Sequence, residues 1–123
     1  MKTGSSGMEI TSQKSGAVDI FEIKGRMDIA GAEIAEKYFQ QMVQDEQTQK
    51  NCQIVFDLGG VDYVSSSGLR LFVKIFKHVE EAGGKLVLCG MNIAVEEVFQ
   101  FAGLDAVFKI FPIRDEAVRF FAS

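Results

Sequence analysis

VDYVSSSGLRLF, Val61 to Phe72, sets three serines in a row between an apolar run and a Gly-Leu pair. Serine is a mediocre strand residue and gains little in a helix interior, where its hydroxyl competes for backbone groups. A triplet therefore reads as a junction, with strand before it and helix after it. Leu69, Phe72, Val73, Phe76 and Val79 recur at helical spacing, with Arg70, Lys74, Lys77 and Glu81 mostly opposite. Gly83-Gly84 stops that helix, because glycine adopts the left-handed cap conformation cheaply.

Working outward, CQIVFDL before the junction is a short β-branched and apolar run, the pattern of a buried central strand. KLVLCG beyond it is another. Asn92 is placed to cap a third helix with Val95, Val98, Phe99 and Ala102 on its core face and Gly103 at its end. AVFKIF reads as a last strand, and Arg114 to Phe121 as a closing helix with Ala117, Phe120 and Phe121 inward. At the other end, MEITSQ and AVDIFEIKG flank Lys14-Ser15-Gly16, which is turn chemistry and predicts a hairpin. GRMD then punctuates the chain. From Ile29 to about Glu46 the pattern is helical, with Ile34, Ala35, Tyr38, Phe39, Met42 and Val43 on one face and Asp28 as its cap. The predicted order is β-β-α-β-α-β-α-β-α: one α/β domain with a small, mixed, mostly parallel sheet flanked by about four helices. Met1 to Gly7 are read as an expression scar or disordered terminus, with Met8 as the natural start and the domain over 8–123.

Composition narrows the function. At 123 residues, 47% hydrophobic with eleven Phe, the chain can bury a core. Its 13 basic and 17 acidic side chains give a net charge of −4, which points away from nucleic acid or an anionic membrane as partner. No apolar run approaches a membrane span, and the opening MKTGSSGMEI lacks the apolar core of a secretory signal. Cys52 and Cys89 sit inside apolar runs and read as buried small hydrophobes in a reducing cytoplasm. With a single histidine, His78, on the solvated side of a helix, they do not form a recognisable zinc site. No cofactor is expected.

For the triplet itself several chemistries compete. Any of the serines, Ser65 or Ser66 most naturally, can cap the second helix. A nucleophilic serine would need G-x-S-x-G and a nearby base, and both are missing. Gly59, Gly60 and Gly68 spell neither phosphate-binding loop motif, so a small nucleotide-binding protein is poorly supported. Serine at a helix start is also where an attached phosphate is tolerated, beside unpaired N–H groups and the positive end of the dipole. Phosphorylation there would add about −1.5 to −2 charges next to Asp62 and act as a surface switch.

Three landmarks resemble the STAS domain of the bacterial anti-sigma factor antagonist family, over nearly all of Met8 to Ser123. GRMD is similar to the family's G-x-[LM]-D. VDYVSSSGLRLF is similar to its signature loop, in the variant Y-[IV]-S-S-[AS]-G-L-R. GGKLVLCGMN with VFQFAGLDAVFKIFP is similar to its closing half. The resemblance implies a protein-binding switch and no enzyme: unphosphorylated, it captures a serine-kinase anti-sigma factor and frees a sigma factor. Phosphorylation of one serine by that kinase ends binding, and a phosphatase resets the switch. Aligning Gly68-Leu69 with the motif puts the acceptor at Ser66, with Ser65 as the alternative. Asp28, Asp62, Ser65, Ser67, Gly68 and Leu69 are then the docking edge, Asp28 having a helix cap as its other reading. The commonest motif carries Asp before the acceptor, where this chain has Ser65, which marks a subfamily. The other reading within the family is a STAS module of a sensor assembly or transport system.

Overall fold

In the strand Val18–Met27 (β3), Val18 and Ile20 are buried in one apolar cluster, Phe21 and Ile23 in another. The strand Gln53–Val64 (β4) repeats the alternation, with Val55 in the first cluster and Ile54, Phe56 and Leu58 in the second. A sheet apolar on both faces must be covered on both. The computed structural model, which describes residues 2–5, 7–44 and 53–122, is such a layered α/β fold.

Six strands pair in chain order: Lys2–Ser5 (β1), Met8–Ser15 (β2), β3, β4, Lys85–Cys89 (β5) and Lys109–Phe111 (β6). β1, β2 and β3 pair antiparallel, while β3 through β6 are parallel. The helices are Ile29–Gln44 (α1), Ser66–Glu81 (α2), Ile93–Phe101 (α3) and Arg114–Ala122 (α4). α1, α2 and α3 cover one face: Phe39 packs on Phe21, Phe72 on Phe56, and Phe99 on Phe72 in turn. α4 covers the other, setting Ala117 among Val55, Val87 and Cys89. From Met8 onward the element order is the predicted one. The strand Lys2–Ser5 adds to the sheet from residues that the sequence left outside the fold.

Several boundaries differ from the sequence reading. GRM does not interrupt β3, which runs to Met27, and β4 does not end at Leu58 but continues through Gly59-Gly60 to Val64. The glycine pair accommodates a slip in the ladder: core positions pass from Leu58 to Val61 to Val64, and the β3–β4 register shifts between Glu22 and Lys24. A Cβ on Gly60 would lie 2.6 Å from the Lys24 Cγ, so the bare backbone is what lets the strands stay paired. On α2 the buried stripe is Gly68, Leu71, Phe72, Ile75 and Val79; Leu69, Val73 and Phe76 are only half-buried. Phe72 and Val79 are common to the expected and the observed face, and Leu69, Val73 and Phe76 pack against the core from its edge. On α3, Val95 and Phe99 are buried but Ala102 is exposed; before β6, Leu104–Ala106 is a 3₁₀ turn. On α1, Ala35 and Phe39 are buried as expected, while the side chains of Met42 and Val43 lie outside those described, as does Cys52.

The predicted stop of α2 is a full Schellman motif. Gly83 takes φ +82°, its N–H donates to the Glu80 carbonyl at 3.0 Å, and Gly84 N–H donates to Val79 at 2.9 Å. Each parallel crossover delivers a helix start to one end of the sheet, beside the last residues of β3, β4 and β5. The serine triplet stands there.

Candidate functional site

Ser65 closes the strand-to-helix corner. Its backbone is extended (φ −85°, ψ 171°), and its hydroxyl accepts from the Gly68 N–H at 3.2 Å, which makes it the N-cap of α2. The same hydroxyl donates to the Met27 carbonyl at 2.9 Å, and the Ser65 N–H donates to that carbonyl at 2.9 Å as well. One carbonyl at the end of β3 therefore holds the start of α2 twice. Gly68 completes the joint. It is buried, and a Cβ there would sit 2.9 Å from the Met27 oxygen and 3.1 Å from Val64 Cγ1. Close approach, rather than a contact of its own, is the reason for glycine.

With Ser65 fixed inward, the next two serines fan out. Ser66, the first helical residue, is exposed; Ser67 is half-buried along a groove between α1 and α2 with Ile29, Glu33, Glu36, Arg70 and Lys74. Leu69 packs from the rim onto the core. Asp28 directly follows β3 and caps α1, accepting from the Gly31 N–H at 2.8 Å, with Arg26 Nε 3.8 Å from its other oxygen. The cap role foreseen for Asp28 thus holds. Gly31 is a second close approach, where a Cβ would fall 2.3 Å from the Arg26 carbonyl. Asp62 is exposed on β4, beside Tyr63, whose ring lies 4.5 Å under the Arg26 guanidinium. Asn92 caps α3 through Val95 N–H at 2.9 Å and donates to the Val61 carbonyl at 3.1 Å, tying the third helix start to β4.

The fold therefore brings Asp28, Ser65, Ser66, Ser67 and Gly68 to one corner, with Asp62 just before it on β4. It also brings residues the sequence reading passed over. Ile29 and Ile93 are 65% and 76% exposed at the first positions of α1 and α3. Each directly follows a cap residue, and side chains there point away from the core; that signal was available once Asp28 and Asn92 were read as caps. Arg70 is exposed one turn after Ser66.

Charge is concentrated elsewhere, beneath α4. Arg114 donates to Asp57 at 2.8 Å and to Glu22 at 2.6 Å. A hydrogen bond from Lys24, then its charge and the Arg114 pair, hold the Glu22 carboxyl below the usual range despite burial. Burial pushes the neighbouring Cys89 thiol up to about 12, with the Asp57 charge adding to it, so it stays protonated and inert. Among the described residues no group of three His, Cys, Asp or Glu side chains could hold a metal ion. None of the described helices is long and apolar enough to cross a membrane.

The family model for the STAS domain matches residues 9–117, and the chain belongs to that family. It is 32% identical over 114 residues to BtrV of Bordetella bronchiseptica, a candidate anti-sigma factor antagonist, covering 93% of this chain and 95% of that one. Identity to an anti-sigma F factor antagonist of Paenibacillus polymyxa is 26% over 111 residues, 90% of each chain. In three dimensions the fold matches an anti-sigma factor antagonist from Mycobacterium paratuberculosis with a TM-score of 0.83 at 19% identity, over 98% of this chain and 99% of that one.

Proposed function

We propose that this protein is an anti-sigma factor antagonist whose affinity for its partner is switched by phosphate on Ser66. The curated relatives that span nearly its whole length carry that role in their names. The observation that carries the choice of serine is the unequal standing of the three hydroxyls. Ser65 already donates and accepts, Ser67 is half-buried in the groove, and Ser66 is exposed. A kinase must reach the residue it modifies, and Ser66 is the exposed one of the three.

The partner is a serine-kinase anti-sigma factor. It transfers the γ-phosphoryl group of ATP to Ser66 Oγ, the hydroxyl proton passing to a base on the kinase and ADP leaving. The unmodified corner presents apolar Ile29 and Ile93 around a neutral hydroxyl, with the charged side chains standing beside it, so a partner can cover the hydroxyl itself without desolvating a charge there. Phosphate brings a chain of net charge −4 to about −6 and sets the new charge on that surface. The first turn of α2 carries no acidic side chain, so its free N–H groups tolerate the phosphate while the fold stays intact. Docking is lost and the core is kept; a phosphatase reverses the change. The domain acts as a binding module and does no chemistry itself.

The test is a binding titration of the kinase against the unmodified chain and against the chain with phosphoserine at 66. Affinity should fall at least tenfold on modification. Equal affinities would overturn the switch.

A further inference from the structure

Arg70 stands one helical turn beyond Ser66, and its Nε reaches back to the Ser66 carbonyl at 3.5 Å. That reach lays the guanidinium along the first turn of α2, where Ser66 and Arg70 are both exposed. The other cations of this corner are engaged. Lys74, a turn further on, pairs with Glu36 of α1, and Arg26 stacks on Tyr63 and lies 3.8 Å from Asp28. Among the described residues no carboxylate lies within ion-pairing distance of Arg70.

We infer that Arg70 is the internal counter-ion of a phosphate carried on Ser66. Residues four apart on a helix are neighbours, and the guanidinium fork matches two phosphate oxygens at once. Adding a phosphoryl group to Ser66 Oγ puts acceptors beside a cation that has only a long bond to a carbonyl to give up. The modified domain then differs from the unmodified one in two ways. It gains negative charge, and it loses a free arginine from the docking surface, because the phosphate has taken it.

This inference rests on Ser66 being the modified serine, so the experiment installs the phosphate without any kinase. Phosphoserine is encoded at position 66 of the full chain, and the phosphate resonance is titrated by ³¹P NMR. A paired phosphate loses its second proton more readily. Its second pKa, ordinarily near about 6, should lie roughly 0.3–0.7 pH unit lower with Arg70 than in Arg70→Ala. Lys74→Ala should match the parent, since Lys74 is held by Glu36. The same pKa with and without Arg70, or a shift produced by Lys74→Ala instead, would overturn the assignment. Failure of a kinase to label Ser66 would sink the switch but leave this result standing, and an unshifted pKa would sink the pairing alone.

Discussion

Two of the polar joints of this domain are built on opposite principles. Beneath α4, Arg114 satisfies two carboxylates at once, and the charges of the site are consumed in holding a helix to the sheet. At the start of α2 the joint is made by a neutral hydroxyl and a backbone carbonyl, and the charged side chains stand around it in solvent. A joint that has spent its charges is closed to new ones. A joint made with one serine, leaving the next serine free, can accept a dianion without being dismantled. Under the proposed function, the contrast marks the joint at which this protein is switched without being unfolded.

Changes at the two joints should separate stability from binding. Gly68→Val drives a branched side chain into the Met27 carbonyl and Val64, and should cost about 3 kcal/mol by denaturant unfolding, toward the upper end of overpacking penalties. A near-neutral result would mean that α2 does not dock where described. Arg114→Ala takes from Asp57 its ion pair and leaves Glu22 with Lys24 alone, and should cost about 2 kcal/mol in the same measurement, while binding at the α2 corner persists. Ser65→Ala removes the cap and its bond to Met27, for about 1 kcal/mol. Because that joint also aims Ser66, this variant should lose kinase labelling efficiency as well, whereas Arg114→Ala should not.

The smallest expected effect is a matter of pH. The folded Glu22 carboxyl is held below its ordinary value of 4.5, chiefly by Lys24, so the unfolded chain binds its proton first as pH falls. Its stabilising contribution is full above about 4.5 and drains away as pH drops through the folded value. Thermal melts of the wild type and Glu22→Gln should therefore differ at pH 7, and the gap should narrow as the pH falls below 4.5. A gap that widens in acid would reverse the sign of the account.

Local devices were legible in the sequence. Asp28 and Asn92 as caps, Gly83-Gly84 as a stop and the element order from Met8 onward all depend on residues a few positions apart. What could not be read depends on distance along the chain. Ser65 gave a cap by its type, but its second bond reaches Met27, 38 residues earlier, and only the fold supplies that partner. Arg114 meets Asp57 and Glu22 across 57 and 92 positions, with no local signal at all. The apolar face read for α2 holds, with Phe72 and Val79 buried and Leu69, Val73 and Phe76 packed against the core from its edge; what the sequence did not show is that Gly68, Leu71 and Ile75 form the deepest part of that face, with Gly68 set close to the Met27 oxygen. β4 looked finished at Gly59-Gly60 because glycine usually weakens a strand; here it absorbs a slip that keeps the strand going. Within the triplet the sequence left Ser65 and Ser66 as alternatives, and it is the engagement of Ser65 that sets them apart.

The central claim is that one hydroxyl, on Ser66, carries the switch while its neighbour holds the fold. Intact-mass measurement after incubation with the cognate serine kinase and ATP tests it most directly. The wild type should gain a single phosphate, Ser66→Ala none, and the melting temperature of that variant should stay within the range of an ordinary surface change. A phosphate added just as fully to Ser66→Ala would place the switch on another residue and contradict the account.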